Sequence, residues 1–304
     1  MFSPLIELIR DTYNTSEFIP LHAPVFAGNE ERYVAQTIQS TFVSSVGAFV
    51  DRFEADMASF TGAERGVAVV NGTAALHLSL LNVGVQSGDL VITQSLTFVA
   101  SCNAITYCDA EPVFVDVDKA RLSLCPKALA QWLEENAVLD AEGVCRTRSD
   151  SRVVRAVLPM HTFGHPADML AIAGVCAKWG LAIVEDAAEA LGSFLNGQHM
   201  GTFGTCGALS FNGNKLITTG GGGMILTDEL RGQHIKHIST TAKRPHPYEY
   251  EHDETGYNYR LPNLNAALGC AQMENLVEFL AIKRRLANTY AAFFGSRNDL
   301  LFVT

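Results

Sequence analysis

The sequence predicts an α/β fold in which a mostly parallel sheet is covered by helices. Seven short runs rich in Val and Ile have the length and composition of strands. Stretches with helical spacing lie between many of these runs, and this alternation is typical of parallel sheets. Apolar residues are continuous within the runs, which indicates strands that are buried on both faces. The runs are 66–71, 90–94, 112–117, 153–159, 181–185, 207–211 and 223–227.

The composition is that of a globular protein of 304 residues, which is long enough for one large α/β domain or two smaller ones. Hydrophobic residues make up 48% and charged residues 18%, which excludes a disordered chain. The formal net charge is −10, and the 22 Lys and Arg residues are scattered along the sequence. Because a nucleic-acid binder needs a concentrated basic face, we expect no nucleic-acid partner. An anionic small substrate is not excluded, since a few local donors can hold one.

The cysteines and the N-terminus indicate a cytoplasmic protein. The seven cysteines are irregularly spaced and include no CxxC pair, so we expect free thiols, most of them buried, in a reducing compartment. Residues 1–20 carry four charges, among them Glu7 and Arg10, and lack the uninterrupted apolar stretch of a signal peptide. No window of 18 residues is apolar enough to span a bilayer, so we expect no membrane association.

Three segments are expected along the chain. Residues 1–60 form an N-terminal helical segment, because they contain helical patterns at 3–13, 29–40 and 49–60. Residues 61–240 form the large α/β domain, which holds the seven strands and helices at 73–81 and 168–179. Residues 241–304 contain most of a polar loop at 240–260 and then a long helix from Asn263, whose apolar stripe at 264–280 suits the core or a dimer interface.

The last residues are again apolar. Residues 300–304, LLFVT, predict the start of another strand. We therefore expect a small C-terminal domain that is incomplete in this sequence.

One lysine lies between a predicted strand and a turn of four glycines, in the segment ALSFNGNKLITTGGGGMIL at 208–226. The segment lacks the GxxxxGK[ST] frame of a Walker loop, and no GxGxxG fingerprint follows a predicted strand. A lone lysine is most often a surface charge. Between a buried strand and a glycine turn, however, the amine of Lys215 can be desolvated, which makes it a nucleophile toward aldehydes.

Two further elements complement Lys215. Asp186 follows an apolar strand at the end where parallel sheets bind ligands, so it either caps a following helix or keeps a cofactor's pyridine nitrogen protonated. Gly72 and Thr73 lie where a strand gives way to a helix, and Thr73 is either an ordinary N-cap or part of a phosphate site. Pyridoxal phosphate (PLP) needs a lysine, an acid partner for its ring nitrogen and a phosphate cup. Together the three elements indicate a PLP site.

Five longer motifs carry a family resemblance. They are NGTAALHLSLL at 71–81, TFVASCNAI at 97–105, VEDAAEALGS at 184–193, SFNGNKLITTGGGGM at 210–224 and GYNYRLPNLNAALG at 256–269. With them the sequence resembles, over almost its whole length, the DegT-type sugar aminotransferases. The resemblance implies PLP-dependent enzymes of the aspartate-aminotransferase fold (fold type I) that aminate keto groups on nucleotide sugars. Residues 18–34 and 40–54 further resemble the subgroup of the bacillosamine and legionaminic acid pathways, which uses a UDP-linked 2-acetamido-4-keto-2,6-dideoxy sugar.

The resemblance also implies roles for single residues. Lys215 matches the Schiff-base lysine, which moves the proton as well, and Asp186 matches the partner of the pyridinium nitrogen. Glu189 occupies a position that is often Gln or His in the wider family and matches a contact to the cofactor or the substrate. The other matched cofactor contacts are Gly72, Thr73, Ala74 and Ser210 at the phosphate and Phe98 on the pyridine face.

The remaining matches concern the substrates and the neighbouring subunit. His161 borders the cofactor pocket on the substrate side. Asn258 matches a residue that reaches the phosphate from the neighbouring subunit, which implies a homodimer with a shared active site. Arg260 matches a residue near it that binds the carboxylate of the amino donor or the sugar phosphates. The implied substrates are glutamate as donor and a nucleotide sugar that is aminated at its 4-keto group.

Two other functions stay open. One is a PLP-dependent sugar dehydratase, although the dehydratases that resemble this family carry His in place of the Schiff-base lysine, and Lys215 speaks against them. The other is a non-catalytic PLP-binding protein with a regulatory or scaffold role.

Histidines and acidic residues elsewhere are not expected to bind a metal. His161 and His165 are four residues apart, but Gly164 and Pro166 predict a loop, and no third ligand is evident. His234 and His237 are expected to be solvated on a polar helix, and the acidic run at 249–254 to be a solvated loop.

Overall fold

The computed structural model describes residues 3–295, 302 and 303. It contains eleven strands within these residues, and each of the seven expected runs forms one of them. The strands are β1 (Arg65–Val69), β2 (Leu90–Gln94), β3 (Glu111–Val115), β4 (Ala137–Leu139), β5 (Cys145–Thr147), β6 (Val154–Leu158), β7 (Ala182–Asp186), β8 (Phe194–Leu195), β9 (Gln198–His199), β10 (Cys206–Ser210) and β11 (Gly223–Thr227).

The seven strands that were expected form one sheet, in the order β1-β11-β10-β7-β6-β2-β3. Only β11 runs antiparallel to its neighbours, which are β1 and β10. The mostly parallel sheet is therefore confirmed. The carboxyl ends of the six parallel strands lie along one edge, where ligands bind in sheets of this kind.

Ten α-helices accompany the sheet in the described part of the chain, with a short 3-10 helix at Thr162–Gly164. They are α1 (Ser3–Tyr13), α2 (Glu30–Ser40), α3 (Ala48–Thr61), α4 (Gly72–Asn82), α5 (Val99–Tyr107), α6 (Pro126–Asn136), α7 (Met169–Trp179), α8 (Glu229–Ser239), α9 (Asn263–Glu274) and α10 (Leu276–Gly295). The expected helices at 3–13, 29–40, 49–60, 73–81 and 168–179 correspond to α1, α2, α3, α4 and α7.

The single long helix expected from Asn263 is wrong, because it is interrupted at Asn275. This residue takes φ −103° and ψ 1°, and its N–H bonds to the Gln272 carbonyl, three residues back, instead of continuing the α-helical pattern. Apolar spacing continues through the break, so the sequence pattern does not reveal it. Seven residues of α9 are buried, whereas in α10 only Leu276 is.

Two hydrophobic cores lie on opposite faces of the sheet. Along β1 the side chains alternate between them, with Ala68 in one core and Val67 and Val69 in the other. The first core includes Phe53 of α3 and Phe211 beyond β10, whose rings meet edge to face with centroids 5.0 Å apart. The sheet is thus covered on both faces, as its continuous apolar strands require.

Helices α2 and α3 are held against α9 by one carboxylate. Glu274 accepts hydrogen bonds from Tyr33 Oη at 2.6 Å, from Asn29 Nδ2 at 2.6 Å and from Arg52 at 2.8 Å. The boundaries of the three expected segments stay a prediction. The strand expected at 300–304 lies largely outside the described residues.

The cysteines are free, as expected, and five of the seven are buried. Burial raises the pKa of the Cys176 thiol to about 12, which keeps it protonated and unreactive near neutral pH. None of the described helices combines the length and the apolarity that crossing a bilayer requires.

The 240–260 segment contains no helix, as expected, but it is not simply solvated. Arg244 Nε donates to Asp253 Oδ2 at 3.0 Å, and His237 of α8 lies 2.6 Å from Asp253 Oδ1. His234 lies 3.1 Å from Glu254. His234 and residues 249–254 are exposed, as expected, whereas His237 is half-buried against Asp253, so the expectation of a solvated histidine fails for His237 alone.

Candidate active site

Asp186 ends β7 at the carboxyl edge of the sheet and is 3% exposed. Its Oδ2 accepts a hydrogen bond from Ser101 Oγ at 2.7 Å, and its Oδ1 accepts one from the Ala188 N–H at 3.2 Å. Burial raises the pKa of this carboxyl, and the two hydrogen bonds and the charge of Lys215 oppose the rise. No helix begins directly after Asp186, since the next helix is α8 at Glu229. The interpretation of Asp186 as a helix cap is therefore wrong.

Lys215 lies in the turn after β10, where its N–H bonds to the Asn212 carbonyl at 3.0 Å. Strand β10 pairs in parallel with β7, with Ala208 opposite Asp186, so the lysine turn and the carboxylate emerge at the same edge. The side chain of Lys215 is 18% exposed, which fits a partly desolvated amine rather than a surface charge.

Glu189 connects Lys215 to the loop after β6. Its Oε1 accepts a hydrogen bond from Lys215 Nζ at 3.1 Å, and its Oε2 accepts one from the Phe163 N–H at 3.0 Å. Phe163 has a positive φ of 53°, and its ring is exposed. The structure therefore brings Glu189 to the lysine and orients it through a backbone amide.

The N-terminus of α4 lies beside Ser210. Asn71 is the N-cap, and its Oδ1 accepts a hydrogen bond from the Ala74 N–H at 2.8 Å, so Thr73 is not the cap. Within the described part of the chain the N–H groups of Gly72 and Thr73 have no hydrogen-bond partner. A Cβ added to Gly72 would lie 3.0 Å from Ser210 Cβ, so only glycine leaves this space open.

This arrangement fits the phosphate of PLP. Unpaired amides at a helix start are ready donors for a phosphate group, and the Ser210 hydroxyl lies next to them. The four-glycine turn approaches closely, since a Cβ added to Gly223 would lie 2.5 Å from the Asn71 carbonyl oxygen. Together with Lys215 and Asp186, these residues could hold the aldehyde, the ring nitrogen and the phosphate of PLP.

Phe98 precedes α5, three residues before the serine that bonds to Asp186, and its side chain is 69% exposed. The preceding residue, Thr97, places its Oγ1 2.6 Å from Ser101 Oγ. The exposed ring of Phe98 is open to a flat ligand. Its expected stacking on a pyridine ring stays a prediction.

His161 is fully buried behind Asp186. Its Nε2 lies 3.0 Å from Glu185 Oε2, and its Nδ1 accepts a hydrogen bond from the Ala167 N–H at 3.2 Å. The backbone N–H of His161 donates a hydrogen bond to the Asp186 backbone carbonyl at 3.0 Å. Both ring nitrogens are used inside the protein, so the structure does not bring His161 to a surface where a substrate could touch it.

Asn258 and Arg260 lie along the edge of β1, where Arg260 forms a bridge with Val69. Arg260 Nη2 donates to Asn258 Oδ1 at 3.0 Å. Both side chains therefore lie in one exposed or half-exposed patch a few residues from Gly72. Their reach across a subunit boundary stays a prediction.

Three parts of this site were not predicted from the sequence. Ser101 lies inside the TFVASCNAI motif and within α5, and its position in the motif was the one weak signal of a polar role. Nothing in the sequence indicated a role for the Phe163 amide or for His22. His22 lines the same cavity as Lys215, and Lys283 Nζ lies 3.3 Å from its Nδ1.

One group of possible metal ligands occurs among the described residues, formed by His237, Asp253 and Glu254. Arg244 already occupies Asp253 Oδ2, and His237 occupies the other oxygen. His237 belongs to α8 and the two carboxylates to the 240–260 segment, and these contacts account for the grouping of His237 with Asp253.

The likeness to known proteins covers nearly the whole chain. The model of the DegT/DnrJ/EryC1/StrS aminotransferase family matches residues 25–303. GDP-perosamine synthase of Escherichia coli O157:H7 is 38% identical over 278 residues, which cover 90% of this chain and 71% of that protein. GDP-perosamine synthase of Caulobacter vibrioides is 39% identical over 274 residues, which cover 90% of this chain and 69% of that protein.

A solved structure gives the same result for the fold. The aminotransferase TlmJ from Streptoalloteichus hindustanus superimposes with a TM-score of 0.82 at 30% identity, covering 92% of this chain and 72% of that one. This likeness confirms the aspartate-aminotransferase-like architecture, fold type I, that was expected from the motifs.

Proposed function

The chain belongs to the DegT/DnrJ/EryC1/StrS aminotransferase family, and on that basis we propose that it transfers an amino group from glutamate to the 4-keto group of a nucleotide-linked deoxy sugar. It is a PLP-dependent transaminase. The observation that carries the proposal is the placement of Lys215 and a buried Asp186 at the same edge of the sheet, after the carboxyl ends of two adjacent parallel strands.

When bound, PLP supplies a ring that accepts electrons as the Cα–H bond of the amino donor breaks. Lys215 would hold its aldehyde, Asp186 its ring nitrogen, and the amides of Gly72 and Thr73 with Ser210 its phosphate. Phe98 would cover one face of the ring, where stacking contributes about 0.5–1.5 kcal/mol.

Lys215 is the residue that would move the proton. Its Nζ is a base only when neutral and must lie within reach of the donor's Cα. Glu189 holds that Nζ at 3.1 Å, on the wall of a cavity of about 720 Å³. The cavity is large enough for a substrate of several rings or groups.

Asp186 would keep the ring nitrogen positively charged. Burial disfavours the ionised carboxylate when the site is empty of positive charge, since its pKa is raised. A cationic nitrogen beside it would reverse that preference. The Ser101 hydroxyl, 2.7 Å from Oδ2, orients the carboxylate.

The identity of the nucleotide divides the proposal into two candidates. The relatives named GDP-perosamine synthase favour a GDP-linked sugar. The resemblance of residues 18–34 and 40–54 to the bacillosamine and legionaminic acid subgroup favours UDP-2-acetamido-2,6-dideoxy-4-keto-hexose.

The direct test is a pair of incubations with glutamate and PLP, one with GDP-4-keto-6-deoxyhexose and one with the UDP-linked sugar. Mass spectrometry of the sugar and release of 2-oxoglutarate are both measured, with Lys215→Ala as the control. We expect an amino sugar from one of the two. Absence of 2-oxoglutarate from both would contradict the proposal.

A spectrum separates this function from the two alternatives. PLP absorbance that shifts on adding glutamate supports transamination, whereas a band that never shifts supports a non-catalytic regulatory or scaffold role. A keto sugar that loses water without gaining nitrogen would support a dehydratase. Lys215 stands against that reaction, because the related dehydratases carry His at its position.

We further propose a homodimer in which Asn258 reaches the cofactor phosphate of the neighbouring subunit and Arg260 binds a carboxylate or phosphate beside it. We place the enzyme in the cytoplasm, where the free cysteines would stay reduced. Size measurement in solution tests the homodimer.

A further inference from the structure

The cavity beside Lys215 is lined on one side by helix α10. Its wall includes Lys215 and Glu189 from the site, His22 from the N-terminal segment, and Leu280, Lys283 and Arg284 from α10. Lys283 and Arg284 are consecutive and exposed on this wall. The cavity therefore brings two further cations to the space in front of Lys215.

Among the residues that the structure describes, no carboxylate forms an ion pair with either cation. Glu189 is the one acidic residue among the described residues that line the cavity, and its two oxygens accept hydrogen bonds from Lys215 Nζ and the Phe163 N–H. Within the described ranges, Lys283 and Arg284 form no salt bridge, although most of the other arginines do.

Lys283 contacts a neutral histidine. Its Nζ lies 3.3 Å from His22 Nδ1. Burial lowers the pKa of His22, and the charge of Lys283 lowers it further, so the ring is uncharged near pH 7 and accepts the lysine's hydrogen. The contact orients Lys283 toward the cavity and leaves its charge intact.

Arg284 is oriented by a backbone carbonyl. Its Nη2 donates to the Gly192 carbonyl at 3.1 Å, three residues beyond Glu189. A guanidinium has five N–H donors in a planar fork, so most of them remain for a ligand. The fork matches the geometry of phosphate and carboxylate groups.

We infer that Lys283 and Arg284 form an oxyanion subsite that binds a phosphate or carboxylate group of a substrate in front of Lys215. The chain as a whole repels anions, since its net charge is −10, so an anionic ligand needs such a local surplus of positive charge. The cofactor phosphate is not the ligand, because its proposed donors lie at Gly72 and Ser210. The inference rests on the proposed function for the identity of the substrates.

The test is equilibrium binding to the PLP-loaded protein, measured by titration calorimetry. The probes are GDP and UDP for the nucleotide and glutarate for the donor, because glutarate has both carboxylates of glutamate and no amine. The variants are Lys283→Gln and Arg284→Gln. The matched control is Arg285→Gln, an exposed arginine on the same helix that does not line the cavity.

We expect Lys283→Gln and Arg284→Gln to weaken one class of probe at least about tenfold, because each removes a charge-assisted hydrogen bond. Arg285→Gln should change the Kd less than about twofold. Loss of nucleotide binding identifies the diphosphate as the ligand, and loss of glutarate binding identifies the donor carboxylate.

Equal Kd values in the three variants would overturn the inference, and so would a wild-type chain that binds none of the probes. Because the measurement needs no turnover, it is independent of the proposed reaction. A chain that transaminates but shows no difference between variants rejects the subsite alone. A chain with the expected binding losses but no transamination rejects the function alone.

Discussion

The Nζ atom of Lys215 lies 3.1 Å from Oε1 of Glu189, although 26 residues separate them in the sequence. The other oxygen of Glu189 accepts the Phe163 N–H at 3.0 Å, so one carboxylate joins the lysine turn to the loop after β6. This bridge fixes the amine on the wall of the cavity that would receive the substrates.

Removing the bridge should slow the reaction without abolishing it. We expect Glu189→Ala to lower kcat about 10- to 100-fold, because Lys215 Nζ would lose the contact that positions it and a displacement of about 1 Å can cost about 100-fold in rate. Glu189→Gln should lose less, since an amide oxygen still accepts a hydrogen bond. Steady-state kinetics checks both, with the exposed Glu229→Gln on α8 as control. Equal rates in Glu189→Ala and the wild type would remove Glu189 from the site.

Ser101→Ala should impair the site through Asp186. Losing the 2.7 Å hydrogen bond raises the pKa of this carboxyl further, so its ionised form is populated less at acidic pH. We expect about a tenfold lower kcat and an acidic limb of the pH profile that moves upward. Ser79→Ala, a buried serine that donates to the Ala75 carbonyl, is the matched control. An unchanged pH profile would contradict the coupling.

The cofactor-free protein should be stabilised by Asp186→Asn at neutral pH. Burial raises the pKa of Asp186 in the folded protein above its value in the unfolded chain. The free energy of unfolding therefore decreases as the pH rises from the unfolded-state pKa to the folded-state pKa of this residue. The amide removes that penalty, and we expect a higher Tm for the variant at pH 8 than for the wild type. With PLP and glutamate, the same variant should transaminate at least about 100-fold more slowly. A lower Tm together with normal turnover would contradict both expectations.

Gly72→Ala should weaken cofactor binding at least about tenfold. The added methyl group would lie 3.0 Å from Ser210 Cβ, in the space assigned to the phosphate. Fluorescence titration of the cofactor-free protein with PLP measures the Kd. Gly174→Ala in α7 is the control, because its methyl group would meet no atom within 4 Å. Equal affinities in the two variants would place the phosphate elsewhere.

Asp253→Asn should loosen the segment that carries Asn258 and Arg260. The Asp253 carboxyl forms hydrogen bonds with His237 and Arg244, which lower its pKa to about 2. The stability that these contacts contribute is therefore fully present above the unfolded-state pKa of about 4 and is lost as the pH falls through about 2. We expect faster amide hydrogen exchange at 251–259 in the variant at pH 7. Glu249→Gln, in the same segment, should leave exchange unchanged. Identical exchange in both variants would mean that the anchor is elsewhere.

The sheet could be predicted because its strands are buried on both faces. Strand Leu90–Gln94, for example, is buried at all five residues and begins with three apolar ones, and its bounds match the run expected from composition. Helix α6 was missed, although Pro126 at its start and Leu129 and Leu133 on one face are signals of a helix. The break at Asn275 could not be seen, because apolar spacing is the same on both sides of it.

Site residues could be predicted only where the residue type and its immediate sequence neighbours together indicate a chemical role. Lys215 in its glycine turn and Asp186 after its strand are such cases. The partners of these residues come from distant parts of the chain, since Ser101 lies 85 residues before Asp186. His161 is the opposite case, since the sequence placed it on the substrate side of the pocket. Its side chain is buried and lies 3.0 Å from Glu185 Oε2, so it faces the protein interior.

The central claim is that Lys215 binds the cofactor covalently, and borohydride reduction followed by peptide mapping tests it most directly. The account predicts one pyridoxyl group per chain, on the peptide that contains Lys215, and none in Lys215→Ala. A pyridoxyl group on another lysine, or none in the wild-type chain incubated with PLP, would contradict it.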